Sequence, residues 1–280
     1  MKTLLFTFFL FSGGILLGQI ERLPASPPID LSTSIGLTEV QLHYSSPAVR
    51  GRKIFGEDGL APYGEVWRTG ADWPTHISFS ESVQLAGTEF PAGDYAFLVT
   101  PFANRWSISF YPYELAGWRW FMRQEAAFVI EVPSQYSNDF FERLEIGINS
   151  QTPVEAILYI TWENTRVDLP ILTKTQEQVM ANIERRMTMP RFWDYLAAAS
   201  VIKDAGGDLQ LALDYLELAE PIGEGQNYRT YIQRAQVLTE LGRKSEALQA
   251  ARQALPLAIA DDNPDFRILI ENTIKSLEAE

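Results

Sequence analysis

The chain has 280 residues, 46% hydrophobic and 12% aromatic, a globular composition with room for more than one core, and disorder is excluded. Lys plus Arg number 23 against 36 Asp plus Glu, so the net charge of −13 repels polyanions and excludes general nucleic-acid binding. The absence of cysteine excludes disulfide frameworks, thiol catalysis and cysteine metal sites, and two histidines, His43 and His76, are too few for a multi-histidine centre.

The chain opens MKTLLFTFFLFSGGILLGQ, with Lys2 ahead of an apolar stretch from Leu4 to Leu17 that Ser12, Gly13 and Gly14 interrupt. A spanning helix needs about 20 apolar residues. The pattern therefore predicts a signal peptide over 1–18, cut after Gly18, although Leu16 is a poor residue at −3. An uncleaved anchor is the alternative. With no cysteine to lipidate, the expectation is an exported, soluble, periplasmic or extracellular protein that is not a lipoprotein. No later stretch is long and apolar enough to span a bilayer.

Period-two patterning runs from about 29 to 172. It includes Ile29, Leu31, Thr33 and Ile35, then Tyr95, Phe97 and Val99, then Trp106, Ile108 and Phe110. FVIEV at 128–132, LEIGI at 144–148, AILYITW at 156–162 and VDLPI at 167–171 continue it. The AGTE segment after Leu85 reads as a hairpin turn, and so does Glu163-Asn164-Thr165. Eight or nine short strands of this kind predict an antiparallel β-sandwich or barrel over 19–173.

After Lys174 the period becomes helical. An offset of 35 lays Gly207 on Gly242, Ala212 on Ala247, Ala219 on Ala254 and Ser200 on Ala235. This spacing, with GDLQLALDYLELA and GRKSEALQAARQA, resembles the tetratricopeptide repeat, a helix–turn–helix of about 34 residues. The family's terminal proline is displaced to Pro221 and Pro256. The resemblance covers about 192–256, with flanking helices at 174–189 and 264–279, and implies an α-helical tetratricopeptide-like domain over 174–280. In that register Asp194, Ala197 and Val201, then Arg229, Ile232 and Gln236, line a concave face suited to a protein or peptide partner. A structural extension docked on the sandwich is the alternative.

Residues 46–80, SPAVRGRKIFGEDGLAPYGEVWRTGADWPTHISFS, mix glycine and proline with basic and aromatic residues, unlike a solvated loop. With LAGTEFPAGDYAFLVTP at 85–101 they resemble the bacterial domain of unknown function 2911 over about 29–172. The resemblance implies an exported protein with a tetratricopeptide tail in some members. It implies no reaction and no catalytic residues.

The chemistry then rests on the residues. Arg50, Arg52, Lys53 and Arg68 put four positive charges into nineteen residues of an acidic chain. Guanidinium forks suit carboxylate or phosphate, and Gly51, Gly56 and Gly70 let backbone approach a ligand. One reading is a pocket for an anionic small molecule, with Trp67 and His76 beside it. The other is internal pairing with Glu57, Asp58, Glu65 and Asp72, which the nearness of those acids in sequence favours. Within the basic set, Arg68 is expected to be structural and Arg52 to meet a ligand.

Two histidines and one carboxylate could hold a metal, but the spacing of His43 and His76 does not enforce it. No nucleophile elbow, metalloprotease helix or phosphate loop is present, and the motifs imply neither cofactor nor metal. Five tryptophans between Trp67 and Trp120 are core or, if exposed, sugar-stacking rings. The leading reading is a non-catalytic binding or scaffold protein of the bacterial cell envelope. A carbohydrate-binding module for a glycan, or a hydrolase with an unrecognised site, are the alternatives.

Overall fold

The structure, a computed structural model, describes residues 23–187, 190–223 and 227–279. The expected signal peptide and its cleavage bond lie outside the described residues. Nine strands form one antiparallel sheet: β1 (Pro28–Ile35), β2 (Thr38–Ser45), β3 (Thr75–Phe79), β4 (Val83–Leu85), β5 (Thr88–Phe90), β6 (Gly93–Pro101), β7 (Arg105–Pro112), β8 (Phe128–Ser150) and β9 (Glu155–Thr173). Their spatial order is β1-β2-β3-β6-β7-β8-β9-β4-β5. A single helical turn, α1 (Trp118–Phe121), interrupts the path from β7 to β8.

The long strands give the sheet its shape. Residues 128–133 of β8 pair with β7, and residues 134–150 pair with β9. Inward residues from both halves, among them Val40, Ile77, Phe97, Ile108, Leu158 and Ile171, enter one apolar core. The chain beyond β2 closes onto this arrangement, because Val49 N donates to Glu142 O (2.6 Å) and Leu144 N to Pro47 O (2.9 Å).

The hairpin expected after Leu85 is present. Ala86 and Gly87 both take positive φ, 46° and 84°, as a two-residue turn matched to strand twist requires. Glu163-Asn164-Thr165 is no hairpin. Glu163 has φ 56° but sits inside the continuous strand β9, where the β8–β9 register shifts between Tyr136 and Glu145. One left-handed residue with a bulge bends a strand without reversing it. The expected short strands are therefore merged here: FVIEV and LEIGI belong to β8, AILYITW and VDLPI to β9.

Among the described residues six α-helices follow: α2 (Thr175–Arg186), α3 (Phe192–Asp204), α4 (Leu209–Ala219), α5 (Asn227–Glu240), α6 (Lys244–Ala260) and α7 (Pro264–Ala279). The offset of 35 holds for the fully buried pairs Ala212/Ala247 and Ala219/Ala254, which let α4 and α6 lie close to their partners. It fails at the turn. The left-handed glycines are Gly206 (φ 66°) and Gly242 (φ 72°), and each is followed by a residue whose N–H reaches back five positions. Those bonds, Gly207 N to Ile202 O and Arg243 N to Leu238 O, are both 2.8 Å long. Gly207 thus matches Arg243, and the first connection carries the extra residue.

Candidate functional site

The segment between β2 and β3 is built into the core, not laid over it. Val49, Ile54, Phe55, Ala61 and Trp67 are buried in the sheet's apolar cluster. Trp67 makes a reciprocal backbone pair with Val99 (2.7 and 2.9 Å), which fixes its ring inward. There it stacks on Trp162 at 5.5 Å, with Phe55 and Trp106 at 6.0 and 6.1 Å. Arg68 is directed the other way, its guanidinium 6.0 Å from the Trp118 ring.

Above this aromatic floor lies an open cavity of about 460 Å³, in the size range of small-ligand sites. Trp67, Arg50, Arg52 and Arg68 line it, together with Leu60, Gly70 and the Ala25–Ser26 wall. Arg52 is preset by two backbone carbonyls, Nε to Val49 O (3.0 Å) and Nη2 to Ala48 O (2.5 Å). Arg50 donates Nη2 to Ala25 O (3.2 Å), while its backbone N–H is taken by Glu142 Oε1 (2.9 Å). Among the described residues, no carboxylate forms an ion pair with the side chain of Arg50, Arg52, Lys53 or Arg68.

That geometry corrects the expected internal pairing. Glu57, Asp58, Glu65 and Asp72 are exposed near the basic groups in sequence, yet none closes onto them. Arg52 and Arg68 both line the cavity and are held differently: Arg52 is pinned to its own turn by two carbonyls, and the Arg68 guanidinium approaches the Trp118 ring.

Backbone strain gathers at the same place. Arg50, Thr69 and Asp72 have φ 48°, 58° and 57°. A β-branched residue such as Thr69 rarely adopts this region, and here its carbonyl is held by the Thr75 hydroxyl. Gly70 follows at φ 148°, where a Cβ would come within 3.0 Å of Ser45 O.

Lys53 and His76 do not line the cavity. Lys53 lies over the Gly56 turn, and His76 stacks on Tyr113 at 4.0 Å with Asp94 Oδ1 3.4 Å from its Nε2. His43 is the cross-strand neighbour of His76, but its Nδ1 meets Asp30 Oδ1 at 2.5 Å. Each histidine takes its own aspartate, and neither takes Asp72 or Glu65. The Ala25–Ser26 wall and Trp162 carried no sequence signal, since one precedes the first strand and the other reads as an ordinary core position.

The helical candidates divide. Arg229, Ile232 and Gln236 line a cavity of about 390 Å³ with Trp193, Ala197 and Phe266. Asp194 and Val201 face a separate hollow of about 200 Å³ beside α2. Asp194 also accepts the Arg191 N–H at 2.8 Å, at the start of α3. The Arg229 guanidinium lies 4.3 Å from the Phe266 ring and 5.3 Å from the Trp193 ring, and its buried Nε has no hydrogen-bond partner among the described residues.

Fold and cavity together define a nine-stranded antiparallel domain with an arginine-lined hollow, followed by helix pairs. The family model described as a protein of unknown function (DUF2911) matches residues 26–171, more than half of the chain, and the chain belongs to that family. No curated protein and no solved structure matches the chain.

Proposed function

We propose that this is a non-catalytic binding protein of the bacterial cell envelope, exported by its N-terminal segment, whose sheet domain is a β-sandwich that holds an anionic small molecule in the arginine cavity. The observation that carries the reading is the convergence of Arg50, Arg52 and Arg68 on one cavity with no ion-paired carboxylate among the described residues. Unpaired guanidiniums over an aromatic floor suit a carboxylate or phosphate joined to an apolar body. The protein's net charge of −13 opposes anions in general, so any anion affinity must come from this local cluster.

The tail, read as tetratricopeptide-like, supports a second reading. Arg229, Ile232, Gln236 and Trp193 share one hollow, a surface suited to a protein or peptide partner. For the sugar-binding alternative the five tryptophans divide: Trp67 and Trp106 are buried in the core, while Trp73 and Trp120 are exposed.

Calorimetric titration with inorganic phosphate and with small aromatic carboxylates tests the main reading. Binding should saturate with one site and weaken about tenfold or more in Arg68→Ala, the loss of about one charge-assisted hydrogen bond. No heat from either anion class, or equal affinity in Arg68→Ala, would refute it.

A further inference from the structure

Where β8 and β9 bend, the inner side of the sheet changes character. By strand alternation Ile130, Val132, Ser134 and Tyr136 share one side of β8, and Ile171, Leu169, Val167 and Thr165 one side of β9. Both rows start in the apolar core and end in hydroxyl-bearing residues, with Ser134 opposite Val167 and Tyr136 opposite Thr165. A hollow of about 150 Å³ lies there, walled by the aromatic residues Phe55, Tyr63, Phe102, Trp106 and Tyr136. Tyr136 is 79% exposed and Tyr63 41%, whereas Phe55 and Trp106 are buried, so the hollow opens on its tyrosine side. Ser134, Asn164 and Thr165 add polar groups to the wall. The Asn164 amide is fixed, because Nδ2 donates to Ser137 O (3.1 Å) and Asp139 O (3.3 Å), which leaves Oδ1 to accept. Among the described residues, no Asp, Glu, Lys, Arg or His lines this hollow. Arg105 lies over the Phe102 ring at 4.4 Å, with Glu131 3.6 Å from its Nε. Phe55 and Trp106 pack on Trp67, yet the hollow shares no lining residue with the arginine cavity.

We propose that this hollow binds one neutral pyranose ring. Its volume admits a single six-membered ring, since a cavity of about 150 Å³ takes benzene. A wholly apolar wall would select a hydrocarbon. This wall carries hydroxyls and a free amide oxygen among its aromatic residues, so it selects a ring that bears hydroxyls of its own. An ionic ligand would leave water here without a charged partner to replace it. A nucleotide would bring phosphate charge that no lining residue meets and that the net charge of −13 repels. Tyr63 and Tyr136, open to solvent and amphipathic, supply apolar faces for the C–H side of a sugar and hydroxyls for its edge. The inference is independent of the anion reading of the arginine cavity, which differs from this hollow in both residues and chemistry.

The test is titration of the whole chain with glucose, galactose, mannose and N-acetylglucosamine, each free and as its methyl glycoside, read by saturation-transfer NMR and tryptophan emission. At least one should bind, with a dissociation constant on the order of 1 mM for a ligand of this size. Tyr63→Ala/Tyr136→Ala removes the exposed rings, and Thr165→Val keeps the branched shape while removing the hydroxyl. Each variant should bind about threefold to tenfold more weakly, with its thermal midpoint confirming the fold. Arg68→Ala should bind the sugar unchanged, and phosphate titration should be unchanged in the tyrosine variant, so the two sites are read separately. Equal affinity for a free sugar and its methyl glycoside supports a hollow that takes the end of a glycan, and binding of the free sugar alone supports a monosaccharide site. No binding of any of these sugars at about 10 mM, or affinity equal in both variants and the parent, overturns the inference. Binding of adenosine where none of the sugars binds overturns it as well.

Discussion

Arg52 and Arg68 occupy one cavity but are held differently, and that difference sets what each substitution does. Arg52→Ala removes the side-chain bonds to Ala48 O and Val49 O, while Val49 O keeps the Arg52 backbone N–H (3.1 Å), so it should cost about 1–2 kcal/mol of stability. Arg68→Ala removes only the approach to Trp118, which should cost about 0.5–1 kcal/mol, while anion binding falls about tenfold or more. Urea unfolding of the two variants beside the titration separates stability from binding. A larger stability loss in Arg68→Ala than in Arg52→Ala would contradict the geometry. Tyr159 gives a second residue-scale test. Burial, then its hydrogen bond to Glu145 Oε1 (2.6 Å), raise the phenol to about 12, with Arg166 opposing. The native state thus keeps a proton that the unfolded chain releases near pH 10. The contribution to stability is full below that pH and is lost as pH rises toward 12. Tyr159→Phe should flatten the stability profile between those limits, as urea midpoints across alkaline pH would read.

At the scale of elements, positive φ separates two sites that look alike in sequence. AGTE and ENT are both short polar interruptions between apolar runs. Ala86-Gly87 supplies two consecutive left-handed residues and reverses the chain, whereas Glu163 supplies one and the strand continues. Since alanine in this region is strained by about 1–2 kcal/mol, Ala86→Asn should stabilise the protein by about 0.5–1 kcal/mol. A thermal midpoint unchanged or lowered in that variant would count against the turn geometry. The alternation of β1, β6 and β7, the period switch at Lys174 and the small residues of the helix pairs were all legible, because each is a local periodicity. The merging of strands into β8 and β9 was not, because it depends on which strand each half pairs with. The basic segment was legible as unusual, and its charges were countable. Whether Arg68 meets Glu65 or Trp118 depends on Trp67 being turned inward by Val99, a contact with a residue 32 positions away.

The whole molecule has its apolar residues in separate clusters. The core of the sheet runs from Ile35 to Ile171, and the main helical core from Val179 to Leu277. Helix α2 belongs with the second, since Val179 and Ile183 pack there. The seam between sheet and helices is narrow and polar. Thr173 and Thr175 share a hydroxyl hydrogen bond of 2.8 Å, and a Cβ at Gly36 would collide with the Thr175 side chain. A chain of residues 19–174 should therefore unfold cooperatively by itself, having lost little more than that seam. The helices, stacked through neighbouring contacts, should unfold over a broader range. Tryptophan positions make the comparison direct in the whole chain. Six of the seven indoles, Trp67 through Trp162, lie in the sheet domain, and only Trp193 lies among the helices. Indole fluorescence in urea then follows the sheet, while far-ultraviolet circular dichroism is weighted to the helices. The two transitions should not coincide in the whole chain, and the fluorescence transition should reappear in the 19–174 fragment. Coincident transitions together with a fragment that lacks any cooperative step would mean that the helices complete the core of the sheet.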